Sequence, residues 1–173
     1  SSKFSQRGFG LKTPLRFEAY SIAIERGDLN YPEVEPLYRR HYAEMKARLS
    51  AAGIEVSDYN PRLPQYFEAF AGGWLLNFVV RLDGKPVGYS NVYLTNDMHN
   101  GDFIAQEDTI YILPEHRNGI GKELVKHILN DLRSRGVLRV NITPVTDLRV
   151  AKIWKRMGFK SAAELMVYDL KGR

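Results

Sequence analysis

The sequence predicts a mixed α/β fold in which helices flank a central, mostly antiparallel, twisted β-sheet. Three observations carry this prediction. Runs rich in β-branched and aromatic residues alternate with runs of helical periodicity along the chain. Two of the β-rich runs are joined by Asp83-Gly84, a two-residue turn typical of antiparallel hairpins. The 173 residues, 44% of them hydrophobic and 26% charged, suffice for one compact globular domain.

The first part of the chain predicts an arm, a strand and two helices. Residues 1–16 carry isolated apolar side chains without regular spacing, which indicates an N-terminal arm. Residues 17–24 alternate apolar and polar side chains, as a half-buried strand does. Apolar residues recur at helical spacing over 33–51, and a second, shorter helix is predicted over 64–70.

Three strands are predicted next. Residues 74–82 and 85–94 flank the hairpin turn and should pair antiparallel. A third β-rich run over 103–113 contains the acidic pair Glu107-Asp108 and is ended by a proline. The acidic pair therefore interrupts an otherwise apolar strand.

The last part of the chain predicts two helices and two strands. An amphipathic helix is expected over residues 122–135, a strand over 137–143, a helix over 147–157 and a final strand over 164–170. A glycine ends each of the two helices. Because no repeat or linker interrupts the order, residues 17–173 are predicted to form a single domain.

Charge and composition narrow the function. The chain has no cysteine, which excludes disulfides, cysteine-rich zinc sites and a cysteine nucleophile. Four scattered histidines without paired carboxylates predict no metal site. The net charge of +5 favours an anionic ligand or partner. No apolar run approaches the 18 or so residues of a membrane helix, so a cytoplasmic protein without membrane contact is expected.

The segment Pro114-Glu-His-Arg-Asn-Gly-Ile-Gly-Lys122 lies between a predicted strand and a predicted helix. Backbone N–H groups at such a turn meet the positive end of the helix dipole and can bind a pyrophosphate. The glycines keep side chains away from the phosphates. The segment matches neither the Walker A pattern nor the dinucleotide-binding glycine pattern. A plain strand-to-helix turn is the alternative interpretation.

Residues 74–168 resemble the GNAT superfamily of acyl-CoA-dependent N-acyltransferases. The loop at 114–122 is similar to the family's R/Q-x-x-G-x-G/A pyrophosphate loop, and Lys155-Arg-Met-Gly-Phe159 is similar to a frequent helix end of the family. Parts of the chain look closest to GNAT proteins encoded by bacteriophages, which would place it in the host cytoplasm. The resemblance implies acetyl-CoA as cosubstrate, bound by the end of the preceding strand, the loop and one later residue: Tyr111, Ile112, Leu113, His116, Arg117, Asn118, Gly119, Ile120, Gly121, Lys122 and Trp154.

Two residues depart from the family pattern. His116 stands where the loop motif has Arg or Gln. Trp154 stands where many members place a tyrosine that protonates the departing CoA thiolate. Since an indole cannot act as a general acid, Tyr168, Tyr111 or water would supply that proton, or the thiolate leaves without one.

The acceptor amine needs a base, because an amine at neutral pH is mostly ammonium. The family's catalytic carboxylate is commonly found near the acidic pair, so Glu107 is the first candidate and Asp108 the second. The two side chains point to opposite faces of a regular strand unless a bulge intervenes. An exposed acidic pair at the rim of the sheet is the alternative. His41, Glu44 and His99 are weaker candidates.

The resemblance thus implies an N-acetyltransferase that transfers an acetyl group to a primary amine by direct attack in a ternary complex. The acceptor would be a small molecule or a protein, and the enzyme a monomer or homodimer. Two alternatives stay open: an inactive GNAT-like module that binds CoA or a protein, and an acyltransferase acting on an amine linked to nucleic acid, which the basic charge permits but does not favour.

Overall fold

A computed structural model describes residues 19–143 and 150–171. The chain divides into two compact units. The first comprises Ser1–Leu37 and Arg62–Ile142, and the second comprises Tyr38–Pro61 and Thr143–Arg173. The N-terminal arm predicted over residues 1–16 lies outside the described residues.

In the part of the chain that is described, five strands form one sheet in the order β1-β2-β3-β4-β5. The strands are β1 (Tyr20–Glu25), β2 (Leu75–Leu82), β3 (Lys85–Asn96), β4 (Phe103–Ile112) and β5 (Arg139–Asn141). Neighbouring strands pair antiparallel, except that β4 and β5 are parallel. Asp83 and Gly84 both have positive φ, of 51° and 81°, as the predicted hairpin turn requires. The predicted fold class is confirmed.

Four helices accompany these strands in the described ranges: α1 (Tyr31–Ala51), α2 (Leu63–Gly72), α3 (Ile120–Ser134) and α4 (Val150–Arg156). A short 3-10 helix, Pro114–His116, precedes α3. Helix α1 begins in the first unit and continues into the second, and α4 belongs to the second. None of the helices in the described residues is long and apolar enough to cross a membrane.

One face of the sheet packs against α3. The apolar side of this helix, which includes Ile120, Leu124, Ile128 and Leu132, is buried against strand residues of β2, β3 and β4. The strand residues are Leu76, Phe78, Val80, Val87, Val92, Ala105 and Ile112. This core fixes the N-terminus of α3 beside the end of β4, because Ile120 and Ile112 belong to the same cluster.

The opposite face of the sheet is covered in part by α2. Ala69 and Phe70 of this helix bury Leu75 of β2, with Tyr66 and Tyr93 packed at the margin. Farther along the same face the packing is polar. The Asn77 side chain is fully buried, donates to Asn91 Oδ1 at 2.7 Å and accepts from Asn30 Nδ2 at 2.9 Å.

The polar packing continues to an ion cluster at the edge of the sheet. Asn30 Nδ2 also donates to Glu25 Oε1 at 2.8 Å. Arg81 pairs with Glu25 at 2.8 Å and with Glu33 at 2.7 Å. The Arg81 hydrogen bond holds the pKa of the Glu25 carboxyl below its usual range. A continuous line of hydrogen bonds therefore runs from the middle of β3 to the first turn of α1.

The last predicted strand is wrong. Residues 159–170 adopt no helix or strand, and the side chains of Leu165, Met166, Tyr168 and Leu170 are exposed. A β-rich run becomes a strand only when a neighbouring backbone takes up its hydrogen bonds. In the described residues the ladder beyond β4 is the three-residue β5, shorter than the strand predicted over 137–143. Of the helix predicted over 147–157, Val150–Arg156 is helical, and residues 144–149 lie outside the described residues.

Candidate active site

The turn before α3 presents backbone N–H groups without a side chain that caps them. Gly119 is the N-cap of the helix, with φ of 106°, and no side-chain oxygen bonds the first turn. The first N–H groups of a helix have no partner within the helix and lie at the positive end of its dipole. This turn can therefore bind an anion, as the sequence predicted for a phosphate loop.

The two glycines of the turn have different structural roles. Gly119 needs its positive φ, which L side chains rarely adopt. Gly121 lies in the first turn of α3, and a Cβ built on it would be 3.8 Å from the Ile112 Cγ1 atom, an ordinary contact. The fold therefore leaves room for a side chain at position 121. Its absence opens space at the helix N-terminus that packing does not require.

The side chains around the turn are held by the protein. The His116 Nδ1 atom and the Tyr20 hydroxyl are hydrogen-bonded at 3.0 Å. The Arg117 guanidinium lies 5.2 Å above the centre of the Tyr111 ring, and its Nε donates to the Ile112 carbonyl at 2.8 Å. Within the described residues, the buried Asn118 Oδ1 accepts no hydrogen bond. The turn therefore presents mainly backbone N–H groups to an anion, because the His116 and Arg117 side chains are engaged in contacts within the protein.

The C-terminal half of β4 has one edge that β5 does not cover. The pairing of β4 with β5 ends at Gln106 and Asn141. On the other edge, the Leu113 N–H donates to the Val87 carbonyl at 2.9 Å. Backbone groups of successive strand residues point to opposite edges, so those of Ile112 point away from β3. The Ile112 amide is therefore on the uncovered edge, whereas the Leu113 amide is engaged with β3.

A β-bulge separates the two acidic residues of β4. Glu107 pairs with Val92 and Thr109 with Asn91, so that Asp108 is the extra residue. Val92 belongs to the core under α3, and residues paired across a ladder share a face, which places Glu107 on that face. Asp108 lies on the other face, where the Tyr66 hydroxyl of α2 donates to its Oδ2 at 3.2 Å.

Burial raises the pKa of the Asp108 carboxyl, and the Tyr66 hydrogen bond opposes that rise. No lysine, arginine or histidine among the described residues forms an ion pair with this carboxylate. The site therefore contains a partly desolvated carboxylate that forms no ion pair with a described residue. Such a group is suited to accept a proton or to bind a cation.

Aromatic side chains surround this carboxylate on the α2 side. Burial raises the pKa of Tyr93, the Asp108 charge adds to the rise, and a hydrogen bond with the Tyr66 side chain opposes it. The Trp74 ring stacks on Tyr93 with centroids 5.8 Å apart. Tyr66 in turn stacks on Phe70 at 6.3 Å. Sequence reasoning missed these aromatic residues. The predicted hairpin brings Trp74 and Tyr93 onto neighbouring strands, but nothing in the sequence indicates that Tyr66 of α2 meets them.

A model of the acetyltransferase (GNAT) family matches residues 34–159, most of the chain. This chain belongs to the GNAT acetyltransferase family. The resemblance drawn from the loop and the helix end is confirmed at that level. No curated protein sequence gives a significant match.

Solved GNAT structures share the fold at low sequence identity. A ribosomal-protein-alanine N-acetyltransferase from Brucella melitensis is 19% identical, with a TM-score of 0.65 over 89% of this chain and 100% of that one. A GCN5-related N-acetyltransferase from Ralstonia eutropha is 18% identical, with a TM-score of 0.67 over 88% and 99%. An aminoglycoside acetyltransferase from a soil metagenome, in complex with sisomicin, is 16% identical, with a TM-score of 0.60 over 90% and 97%.

Two of the predicted GNAT site residues belong to the second unit. Trp154 is buried in α4 and packs on Phe159 with ring centroids 5.9 Å apart. Tyr168 lies in the irregular segment after α4 and is 78% exposed. Of the weaker candidates, His99 is 97% exposed and approaches Asp97 at 3.3 Å within the loop between β3 and β4. His41 and Glu44 are carried by the part of α1 in the second unit.

Proposed function

We propose that this protein transfers an acetyl group from acetyl-CoA to a primary amine by direct attack, with Asp108 as the base. The single observation that carries the proposal is the half-buried Asp108 carboxylate on the bulge of β4, which forms no ion pair with any described residue and lies next to the edge of that strand that β5 does not cover. A base in this position can take a proton from an amine that approaches from the α2 side.

The turn at the start of α3 fits the pyrophosphate of acetyl-CoA. Its N–H groups are uncapped by side chains, and Gly121 leaves open space that the fold itself does not use. The uncovered edge of β4, with the Ile112 amide on it, suits an extended, amide-containing arm such as pantetheine. When bound there, acetyl-CoA supplies a thioester carbonyl to the amine and releases CoA.

Asp108 is assigned as the base in preference to Glu107, reversing the order that the resemblance suggested. Glu107 lies on the face of the sheet that packs against α3. Asp108 lies on the face that carries Tyr66 and Tyr93, and burial raises its pKa toward the value of a useful base. The amine enters as ammonium, loses one proton to the Asp108 carboxylate, and attacks the thioester carbonyl with the lone pair that this exposes. The second N–H proton leaves the tetrahedral intermediate to solvent as the C–S bond breaks, which gives the amide and the CoA thiolate.

The departing sulfur needs no dedicated acid in this proposal. A thiol has a pKa of about 8.5, so its thiolate is a competent leaving group near neutral pH. Trp154 carries no acidic proton, and Tyr168 belongs to an exposed, irregular segment. Tyr111 is buried beneath the Arg117 guanidinium. Water is the remaining proton source, and solvent supplies it after the C–S bond breaks.

A CoA-release assay with a panel of primary amines tests the proposal. The wild type should release CoA only when an amine is present, and the N-acetylated amine should appear in equal amount. Binding of acetyl-CoA without release by any amine would instead support the inactive binding module. Release that depends on aminoacylated or modified nucleic acid, with salt-sensitive binding, would support the nucleic-acid-directed alternative. Cytoplasmic location and closeness to bacteriophage-encoded GNAT proteins remain part of the proposal.

A further inference from the structure

The Trp74 side chain is 48% exposed, although it is held in place on two sides. One face of the indole stacks on Tyr93, with an interplanar angle of 29°. A Cβ built on Gly72 would lie 3.0 Å from the Trp74 Cδ1 and Nε1 atoms, so the indole approaches the end of α2 more closely than a side chain there would permit. The remaining surface of the ring is a rigid, flat, apolar patch facing solvent.

This patch continues inward to the half-buried Asp108 carboxylate. Trp74 stacks on Tyr93, Tyr93 is hydrogen-bonded to Tyr66, and Tyr66 donates to Asp108. We call Tyr66, Trp74 and Tyr93 the aromatic wall. A ligand with its ammonium at Asp108 therefore has flat apolar surface along its length, ending at the open face of Trp74.

The charge of the site limits how many positive charges the ligand can carry. The wall leads to one carboxylate, because Glu107 is on the other face of the sheet and Glu68 is an exposed residue two positions from Tyr66, on a different side of α2. One half-buried negative charge neutralises one ammonium. The net charge of +5 further disfavours a polycation.

The hydrogen bonds among the polar atoms of the wall limit how polar the ligand can be. The two phenol hydroxyls are engaged, Tyr66 with Asp108 and Tyr93 with Tyr66. Both phenol protons of the wall are used, so it can donate to the hydroxyls of a sugar ring only through the Trp74 indole N–H and can otherwise only accept from them. An aromatic ring needs no hydrogen-bond partners and gains stacking energy beyond its buried area.

We propose that the acceptor is an arylalkylamine: a primary amine with a single positive charge, joined by a short chain to a flat aromatic ring. The ammonium binds Asp108 and the ring stacks on Trp74. This inference rests on the proposed function, since the amine must reach the acetyl donor to react.

Steady-state kinetics with four acceptors tests this assignment: 2-phenylethylamine, n-butylamine, spermidine and kanamycin. In the wild type, kcat/KM for 2-phenylethylamine should exceed that for n-butylamine about tenfold or more, and spermidine and kanamycin should react poorly. Trp74→Ala should lower this preference by about tenfold, mainly through KM, and Trp74→Phe should restore most of it. Leu29→Ala, which truncates an exposed apolar side chain that is not part of the wall, should leave the preference unchanged.

The outcomes separate the two proposals. If 2-phenylethylamine is not preferred, if a polycation or sugar amine is, or if Trp74→Ala and Trp74→Phe both keep the wild-type preference, the arylalkylamine assignment is overturned while N-acetyl transfer stands. If no amine releases CoA, the proposed function fails and the assignment fails with it. Thermal melting of each variant identifies a variant that has not folded, and the ranking of the four acceptors by the wild type then carries the test.

Discussion

The Tyr66 hydroxyl donates a hydrogen bond to the Asp108 carboxylate across 3.2 Å, joining α2 to the bulge of β4. The two residues are 42 positions apart in the chain. The hydrogen bond stabilises the charged form of Asp108 against the burial that destabilises it. Tyr66 therefore sets the pH range in which Asp108 is an available base.

Replacing Tyr66 by phenylalanine should raise the pKa of Asp108 further, because the ring stays and the donor is lost. The acidic limb of the kcat/KM profile against pH should move to higher pH, with little change on the alkaline side. Tyr42→Phe is a matched control, because Tyr42 donates to the Ser57 carbonyl in the second unit. An acidic limb at the wild-type pH in Tyr66→Phe would contradict the coupling.

Asp108→Asn should make the folded protein more stable at pH 7. The folded-state pKa of Asp108 lies above the unfolded one, so the native state holds its proton more tightly. Stability is therefore lost as the pH rises from the unfolded pKa through the folded pKa, and it stays low above. An uncharged amide avoids this loss. The Tm difference between variant and wild type, measured from pH 3 to 8, should be positive at pH 7 and shrink toward acid.

Glu25→Gln is a control in which the opposite change of Tm is expected. Arg81 lowers the folded-state pKa of Glu25, so its charged form stabilises the protein above the unfolded pKa. This variant should have a lower Tm than the wild type at neutral pH, and the difference should fade as the pH falls. An Asp108→Asn Tm below that of the wild type at pH 7 would show that the carboxylate is stabilised by its surroundings.

Gly121→Ala should separate folding from binding at the turn before α3. The fold has room for the added methyl, and alanine favours a helix over glycine by about 1 kcal/mol, so the free protein should keep or raise its Tm. The rise in Tm that acetyl-CoA produces in the wild type should be strongly reduced, because the methyl occupies the space left for phosphate. Asn130→Ala, an exposed change in the same helix, should keep the full ligand-induced rise. An undiminished rise in Gly121→Ala would place the phosphates elsewhere.

Asn77→Leu should destabilise the fold by about 2–4 kcal/mol, because it removes one hydrogen bond from each of two amide side chains that face a buried position. These partners are the Asn30 Nδ2 group and the Asn91 Oδ1 atom. Urea denaturation at constant m-value measures the change. The Asn30 Nδ2 group keeps its bond to Glu25, so Asn30→Ala, which removes that bond as well, tests how far the line of hydrogen bonds acts as a unit. A cost below about 1 kcal/mol for Asn77→Leu would show that water replaces the lost amide.

The parts of the fold that follow from local chemistry could be predicted from the sequence. The Asp83-Gly84 hairpin depends on two residues that tolerate positive φ, and the apolar stripe of α3 is a local period. The interruption of the third predicted strand by its acidic pair corresponds to the bulge at Asp108. In each case, residues close together in the sequence are sufficient to predict the structural feature.

The remaining features of the fold and of the site depend on contacts between residues that are far apart in the sequence. Tyr66 meets Asp108 only because α2 packs on one face of the sheet. Which of Glu107 and Asp108 lies on that face depends on the bulge of β4 against β3, and a bulge is a property of the strand pairing. The strand predicted over 164–170 had the right composition but lacked a neighbouring strand in the described residues. A local sequence pattern predicts which element a segment can form. Whether that element forms depends on the segment with which it pairs or packs.

The most direct test of the central claim is the pH dependence of kcat for Asp108→Asn compared with Glu107→Gln. With Asp108 as the base, Asp108→Asn should bind acetyl-CoA nearly as tightly as the wild type while kcat at pH 7 falls by about 10² to 10⁴. The deficit should shrink as the pH rises, because more of the amine arrives deprotonated. Glu107→Gln should lose less than about fivefold. A loss of less than about fivefold in Asp108→Asn, or the larger, pH-dependent loss in Glu107→Gln, would contradict the account.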